Sequence, residues 1–148
     1  MSLIIKLDKG ISIDTNLKDK LKTIVSLIFY DEGKGDNEIN LRILDDNKMK
    51  KLNHQFRNKN KTTNVLSFPS DDISIRHTKN IGDIAISLEY VEREAKEEGK
   101  TFEDHMIHML AHGVYHILGY DHESDEMAVI MENKEINILN KININNPY

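Results

Sequence analysis

The stretch TFEDHMIHMLAHGVYHILGYDH, Thr101 to His122, decides the fold. Thr101 with Asp104 three residues later fits a capping box that opens a helix, apolar residues carry it to about Leu118, and Gly119 is its natural C-terminal stop. At about 100° per residue, His105, His108, His112 and His116 fall within an arc of roughly 80°, while Met106, Met109, Leu110, Gly113, Val114, Ile117 and Leu118 take the broad remaining face. The segment therefore reads as a core helix with a histidine rim. One histidine beside an apolar face is ordinary; four in line ask for a chemical reason.

A turn of four residues advances about 6 Å, and Zn–N bonds are only about 2.0–2.1 Å, so adjacent turns can share an ion and alternate turns cannot. The chelating pair is either His108 with His112 or His112 with His116. Gly119 can take the left-handed conformation that reverses the chain and returns His122 toward the last turn, which brings it to His116 and not to His108. The result, His112-x3-His116-x2-Gly119-x2-His122, has the ligand spacing of the metzincin motif, but Gly113 stands where those proteases carry their glutamate base. Three ligands leave one position open for water or substrate, the pattern of a catalytic rather than a structural zinc. One zinc per chain, held by His112, His116 and His122, is the expectation.

Outward from this helix, Glu38 to Leu44 alternates Ile39, Leu41 and Ile43 with polar neighbours, the period of a half-buried strand. Leu3 to Leu7 and Ile11 to Ile13 read as edge-strand material, Asn64 to Phe68 as a short strand ended by Pro69, and Ile81 to Leu88 as another, with a polar loop between these last two. Leu17, Leu21, Ile24, Val25 and Ile28 recur at helical spacing over Asn16 to Tyr30, and a short helix is expected from Asn47 to Phe56. Ser124 opens a last helix carrying Met127, Ile130, Met131 and Ile138 inward, and the tail INKININNPY adds little. The fold class expected is α+β: one domain, a small mixed sheet packed against several helices with the histidine-bearing helix at the centre.

Composition narrows the chemistry. The 148 residues suit one ordinary domain, and 39% hydrophobic with 30% charged residues excludes disordered and fibrous classes. There is no cysteine, so His, Asp and Glu are the strong metal ligands available. The opening MSLIIKLDKG has no long apolar run after a basic start, and no stretch approaches the roughly 20 residues of a membrane span; a cytoplasmic chain without membrane contact is expected. Net charge is −5, yet Asn47 to Ser70 contains no acid and carries Lys48, Lys50, Lys51, Arg57, Lys59 and Lys61, leaving −11 for the remainder. Such a run is either a solvated helix face with its loop or a phosphate-binding surface.

The string HGVYHILGYDH, His112 to His122, resembles the signature of the YbeY family of bacterial endoribonucleases. Two more stretches agree in order and approximate spacing: FRNKNKTTNVLSFP, Phe56 to Pro69, is similar to the family's arginine loop and strand, and IGDIAIS, Ile81 to Ser87, to its G-D-I-x-I-S strand. The resemblance covers about residues 38 to 140 and rests on three separated blocks. Ile117 departs from the usual leucine and Thr62 from the proline of many members, neither at a ligand.

The resemblance implies that the three histidines bind zinc and that Arg57 is the arginine required for function. It implies cleavage of single-stranded RNA, in maturation of the 3′ end of small-subunit (16S) ribosomal RNA and in ribosome quality control, with the ribosome or its small subunit as partner. A guanidinium matches the charge that builds on a phosphate under attack, and Lys59 and Lys61 could hold neighbouring phosphates while Phe56 supports the loop. Asp121 is either a carboxylate that orients a ligand histidine or a plain turn residue. His105 and His108 line the approach or hydrogen-bond in the core, and Asp83 and Ser87 fit strand-end structure better than catalysis. Two other readings stay open: another zinc hydrolase, including a peptidase with an unusual base, and a ribosome-associated binding protein with structural zinc.

Overall fold

The computed structural model describes residues 2–71 and 78–148. Strand β1 (Leu3–Leu7) is followed by helix α1 (Thr15–Asp31), β2 (Glu38–Leu44), α2 (Asp46–Arg57), β3 (Val65–Pro69), β4 (Asn80–Ser87), α3 (Leu88–Glu98), α4 (Phe102–Ile117) and α5 (Asp125–Asn140). The sheet runs β1-β2-β4-β3, with β2 parallel to β1 and β4 and with β3 antiparallel at the far edge. It is an α+β fold with a mixed sheet, as the alternation of strands and helical periods implies.

Period-2 alternation sorts the strands onto two faces. Ile39, Leu41 and Ile43 of β2 and Ile84 and Ile86 of β4 point into the main core beneath α1, α4 and α5. Leu44, Leu66 and Ala85 point the other way, onto Met49 of α2, in a smaller cluster. α4 is the central helix: it contacts α1, α3, α5, β3 and β4, which is why ten of its residues from His105 to Tyr115 are buried. Among the described residues no helix is long and apolar enough to cross a membrane.

Three expectations need correction. Ile11 to Ile13 is no strand: the chain turns at Gly10 (φ +85°), Ile11 N–H donates to Asp8 O at 3.0 Å, and Asp14 then caps α1 by accepting from Leu17 N–H at 2.7 Å. On α5 the inward stripe is Met131, Glu135, Ile138 and Leu139, whereas Met127 and Ile130 are 39% and 49% exposed. Ile130 lies about 100° off that stripe, and Met127 lies one turn ahead of it. The tail is not idle either, since its last residues reach the histidine helix, as described below. The polar loop expected between β3 and β4 lies largely outside the described residues.

Asp8 ties the parallel strands to α2. It accepts two bonds from the Arg42 guanidinium at 2.8 and 2.9 Å and lies 3.1 Å from Lys48 Nζ. The Arg42 hydrogen bond leads in holding the Asp8 carboxyl at about 2, against its ordinary 3.8. A depressed carboxylate stabilises the fold above its ordinary pKa, and that contribution is lost as pH falls through about 2. Asp8→Asn should therefore lower stability at neutral pH and flatten its decline over this acid window. Urea midpoints measured from neutral pH down to about pH 2 check this; an equally steep acid limb in the variant would show that the pair contributes nothing to folding.

Candidate metal centre and cleft

α4 starts where its cap predicts, with Thr101 Oγ1 accepting from Asp104 N–H at 3.1 Å. It ends at Ile117, and just beyond it Gly119 takes φ +102° while Tyr120 N–H donates to Tyr115 O at 3.0 Å. That reversal brings His122 back onto the last turn. Ring centroids are 4.6 Å apart for His112 and His116, 5.1 Å for His116 and His122, and 5.6 Å for His112 and His122. One ring nitrogen from each lies within 4.8 Å of the others, so the three could hold a metal ion. Burial, and then the neighbouring His112 and His122, push the His116 pKa down and favour the neutral imidazole, the form that ligates.

The partner of His112 is Glu135. This carboxylate, fully enclosed on α5, accepts from His112 Nδ1 on Oε2 at 3.2 Å, and from His108 Nε2 and Tyr148 Oη on Oε1 at 2.7 and 2.8 Å. Burial alone would raise its pKa; the hydrogen bonds from His108 and His112 overcome that and hold it at about 2. With Nδ1–H committed to Glu135, Nε2 of His112 is the nitrogen left for a metal. Asp121, by contrast, accepts from Glu123 N–H at 3.1 Å and is a turn residue.

Sequence reasoning missed Glu135, although a signal existed: it is a charged residue in the same helical stripe as Met131, Ile138 and Leu139. Its position beside His112, 23 residues away, is visible only once α5 packs on α4. His105 and His108 fill both roles expected of them, since each is buried and hydrogen-bonded and each also lines the cleft. His105 Nε2 is 2.6 Å from Glu94 Oε1, and Asn64 Nδ2 donates to that same oxygen at 3.0 Å.

Arg57, the last residue of α2, shares one cleft of about 810 Å³ with His112, His116 and His122; Lys59, Lys61 and Lys100 line it too. That volume falls in the roughly 300–1,000 Å³ range of ligand sites. The guanidinium is held in place: Nη2 donates to Ser67 O at 2.8 Å, and the group stands 5.0 Å from the Phe68 ring centroid. Phe56 packs edge-on against that ring at 5.3 Å. Arg57 Nη1 also donates to Phe56 O at 3.4 Å, and the N–H groups beyond these two bonds can meet an anion.

The basic loop after α2 is fixed from beneath. Asn58 turns the chain with φ +56°, and buried Asn53 donates from Nδ2 to Lys61 O at 2.8 Å. Thr62 contributes a tether of its own, donating from Oγ1 to Asp46 at 2.9 Å. Ser87 donates to the same Asp46 oxygen at 2.7 Å and caps α3, the strand-end role expected of it; Asp83 instead lies within β4, where it accepts from Asn40 at 2.9 Å across to β2.

Gly113 faces the sheet, not the cleft. A Cβ there would stand 3.0 Å from Ser67 Oγ and 3.1 Å from Ile84 Cδ1. A glutamate at this position would drive a carboxylate into the contact between α4 and the β3–β4 hairpin, where it cannot serve as a base.

Comparison with known proteins shows a family. A family model described as Endoribonuclease YbeY matches residues 4–143. A protein of Bartonella quintana (strain Toulouse) named Endoribonuclease YbeY is 49% identical over 114 residues, which are 76% of this chain and 72% of that protein. An Endoribonuclease YbeY of Alteromonas mediterranea is 40% identical over 141 residues, 95% of this chain and 89% of its own length. A Thermotoga maritima protein whose structure was solved in solution superposes with a TM-score of 0.64 at 29% identity, covering 95% of this chain and 91% of that one.

Proposed function

Because this chain belongs to the YbeY family of endoribonucleases, we propose that it is a zinc-dependent endoribonuclease specific for single-stranded RNA. Its substrate is ribosomal RNA, at the 3′ end of the small-subunit species, and it works with the small ribosomal subunit in RNA maturation and ribosome quality control, as a single cytoplasmic domain. The observation that carries this reading is one cleft lined both by a trio of imidazoles on α4 and its reversal and by Arg57, Lys59 and Lys61.

His112, His116 and His122 would hold the ion through neutral nitrogens. A zinc bound there supplies Lewis-acid polarisation of a phosphodiester oxygen and acidifies a water, lowering its pKa from about 15.7 toward about 7. Arg57 binds the phosphate under attack, and its planar fork meets two oxygens at once as their charge grows. The Ser67 carbonyl and the Phe68 ring keep that fork oriented before substrate arrives. Lys59 and Lys61 hold flanking phosphates and set the path of the strand. Glu135 keeps His112 in the tautomer with its proton on Nδ1.

The purified chain should carry about one zinc and cleave a single-stranded RNA. A chelator should abolish the cleavage, added zinc should restore it, and a duplex of the same sequence should resist. Peptide hydrolysis by the zinc-loaded chain with no RNA cleavage would overturn this reading in favour of a peptidase. RNA binding without turnover would favour a binding protein.

A further inference from the structure

Of the three donors on Glu135, one comes from outside the helical core. Tyr148 lies 13 residues beyond Glu135 and donates its hydroxyl to Oε1 at 2.8 Å. The path that brings it there is built. Asn143 turns the chain with φ +64°, Ile144 is buried in the main core, and Lys100 Nζ at the start of the histidine segment donates to Pro147 O at 2.8 Å. The Tyr148 ring stands edge-on to His108, with centroids 5.4 Å apart, and completes one wall of the cleft.

We propose that Tyr148 is a positioning residue for the metal centre: its hydroxyl and ring hold the Glu135 carboxylate so that Oε2 stays on Nδ1 of His112. The proposal rests on His112 being a metal ligand. A carboxylate's terminal torsion is broad, so a single donor on one oxygen fixes it poorly. Two donors on Oε1, one from α4 and one from the tail, remove that freedom and leave Oε2 aimed at the imidazole. Without the phenol, Oε1 keeps only His108 in an enclosed site, and water or a rotated carboxylate takes the vacant place. His112 then loses the contact that keeps its proton off Nε2. Weaker metal binding follows, by the route through which outer-shell partners of ligand histidines act.

The test uses the full chain and measures dissociation constants for zinc and for cobalt(II) by chelator competition, with the visible spectrum of bound cobalt(II) as a second readout. Tyr148→Phe keeps the ring and removes the hydroxyl; Tyr148→Ala removes both; Tyr30→Phe, at an exposed tyrosine, is the control. Tyr148→Phe should bind both ions about 10-fold more weakly and Tyr148→Ala nearer 100-fold, the range for outer partners of ligand histidines. The cobalt(II) bands should shift, and the metal-free circular dichroism of Tyr148→Phe should match the parent. Parental affinity and an unshifted spectrum in Tyr148→Phe and Tyr148→Ala alike would overturn the proposal alone. Failure of the parent chain to bind either ion would overturn the metal reading, and the proposal with it.

Discussion

His116→Ala should release the metal and abolish RNA cleavage, whereas His108→Ala should keep the ion. His116 forms one corner of the imidazole triangle, 4.6 Å from one ring and 5.1 Å from the other, so its removal leaves two ligands and no closed site. His108 is one turn earlier on the same rim, but its Nε2 is committed to Glu135 at 2.7 Å. Its loss should weaken zinc binding by no more than the roughly 10–100-fold typical of an outer partner. It should cost stability as well, because Glu135 would stay enclosed with one donor fewer. Zinc content after gel filtration and a chelator-competition constant for each variant decide between them. Equal metal loss in both would mean that the ligand set is misassigned.

Arg57→Ala should leave the zinc and the fold in place and slow cleavage by on the order of 10²–10³, the loss typical of removing one transition-state donor. Arg57 is the last residue of its helix, and its guanidinium is anchored by the Ser67 and Phe56 carbonyls and one aromatic face, so truncation removes the anion-facing fork without opening the core. RNA binding should weaken far less than the rate. Lys59→Ala and Lys61→Ala should do the reverse, weakening binding and reducing its salt dependence while the cleavage step stays nearly intact. Arg57→Lys should rescue only in part, since a point ammonium cannot reproduce a two-pronged contact. Single-turnover cleavage at saturating protein separates these effects. A parental rate for Arg57→Ala under those conditions would make the arginine a binding residue only.

Much of the candidate site is legible in the amino-acid sequence because its parts are local in the chain. His112 and His116 share a face through helical periodicity, and His122 follows through a glycine that tolerates φ +102°. Those relations depend on backbone geometry over a dozen residues and survive almost any tertiary arrangement. The same locality explains why alternation alone bounds β2 at its observed limits, and why the cap of α4 falls at Thr101 as its residue type implies. Locality also misleads: Met127 and Ile130 satisfy a helical pattern, but burial is a property of what packs against a helix, and that turn stays exposed.

By itself, then, the sequence determined the α+β class, the histidine helix and its reversal, the basic segment, and the family those three blocks point to. Tertiary structure alone decided what each site residue leans on. Phe68 and the Ser67 carbonyl lie beneath Arg57, Glu135 and not Asp121 stands behind His112, and the phenol of Tyr148 closes on Glu135 from the tail. The physical reason is the range of the interactions. A turn or a helical face is set by torsions within a few residues, whereas a buried carboxylate finds its donors only when separate elements pack together and exclude the water that would otherwise satisfy it.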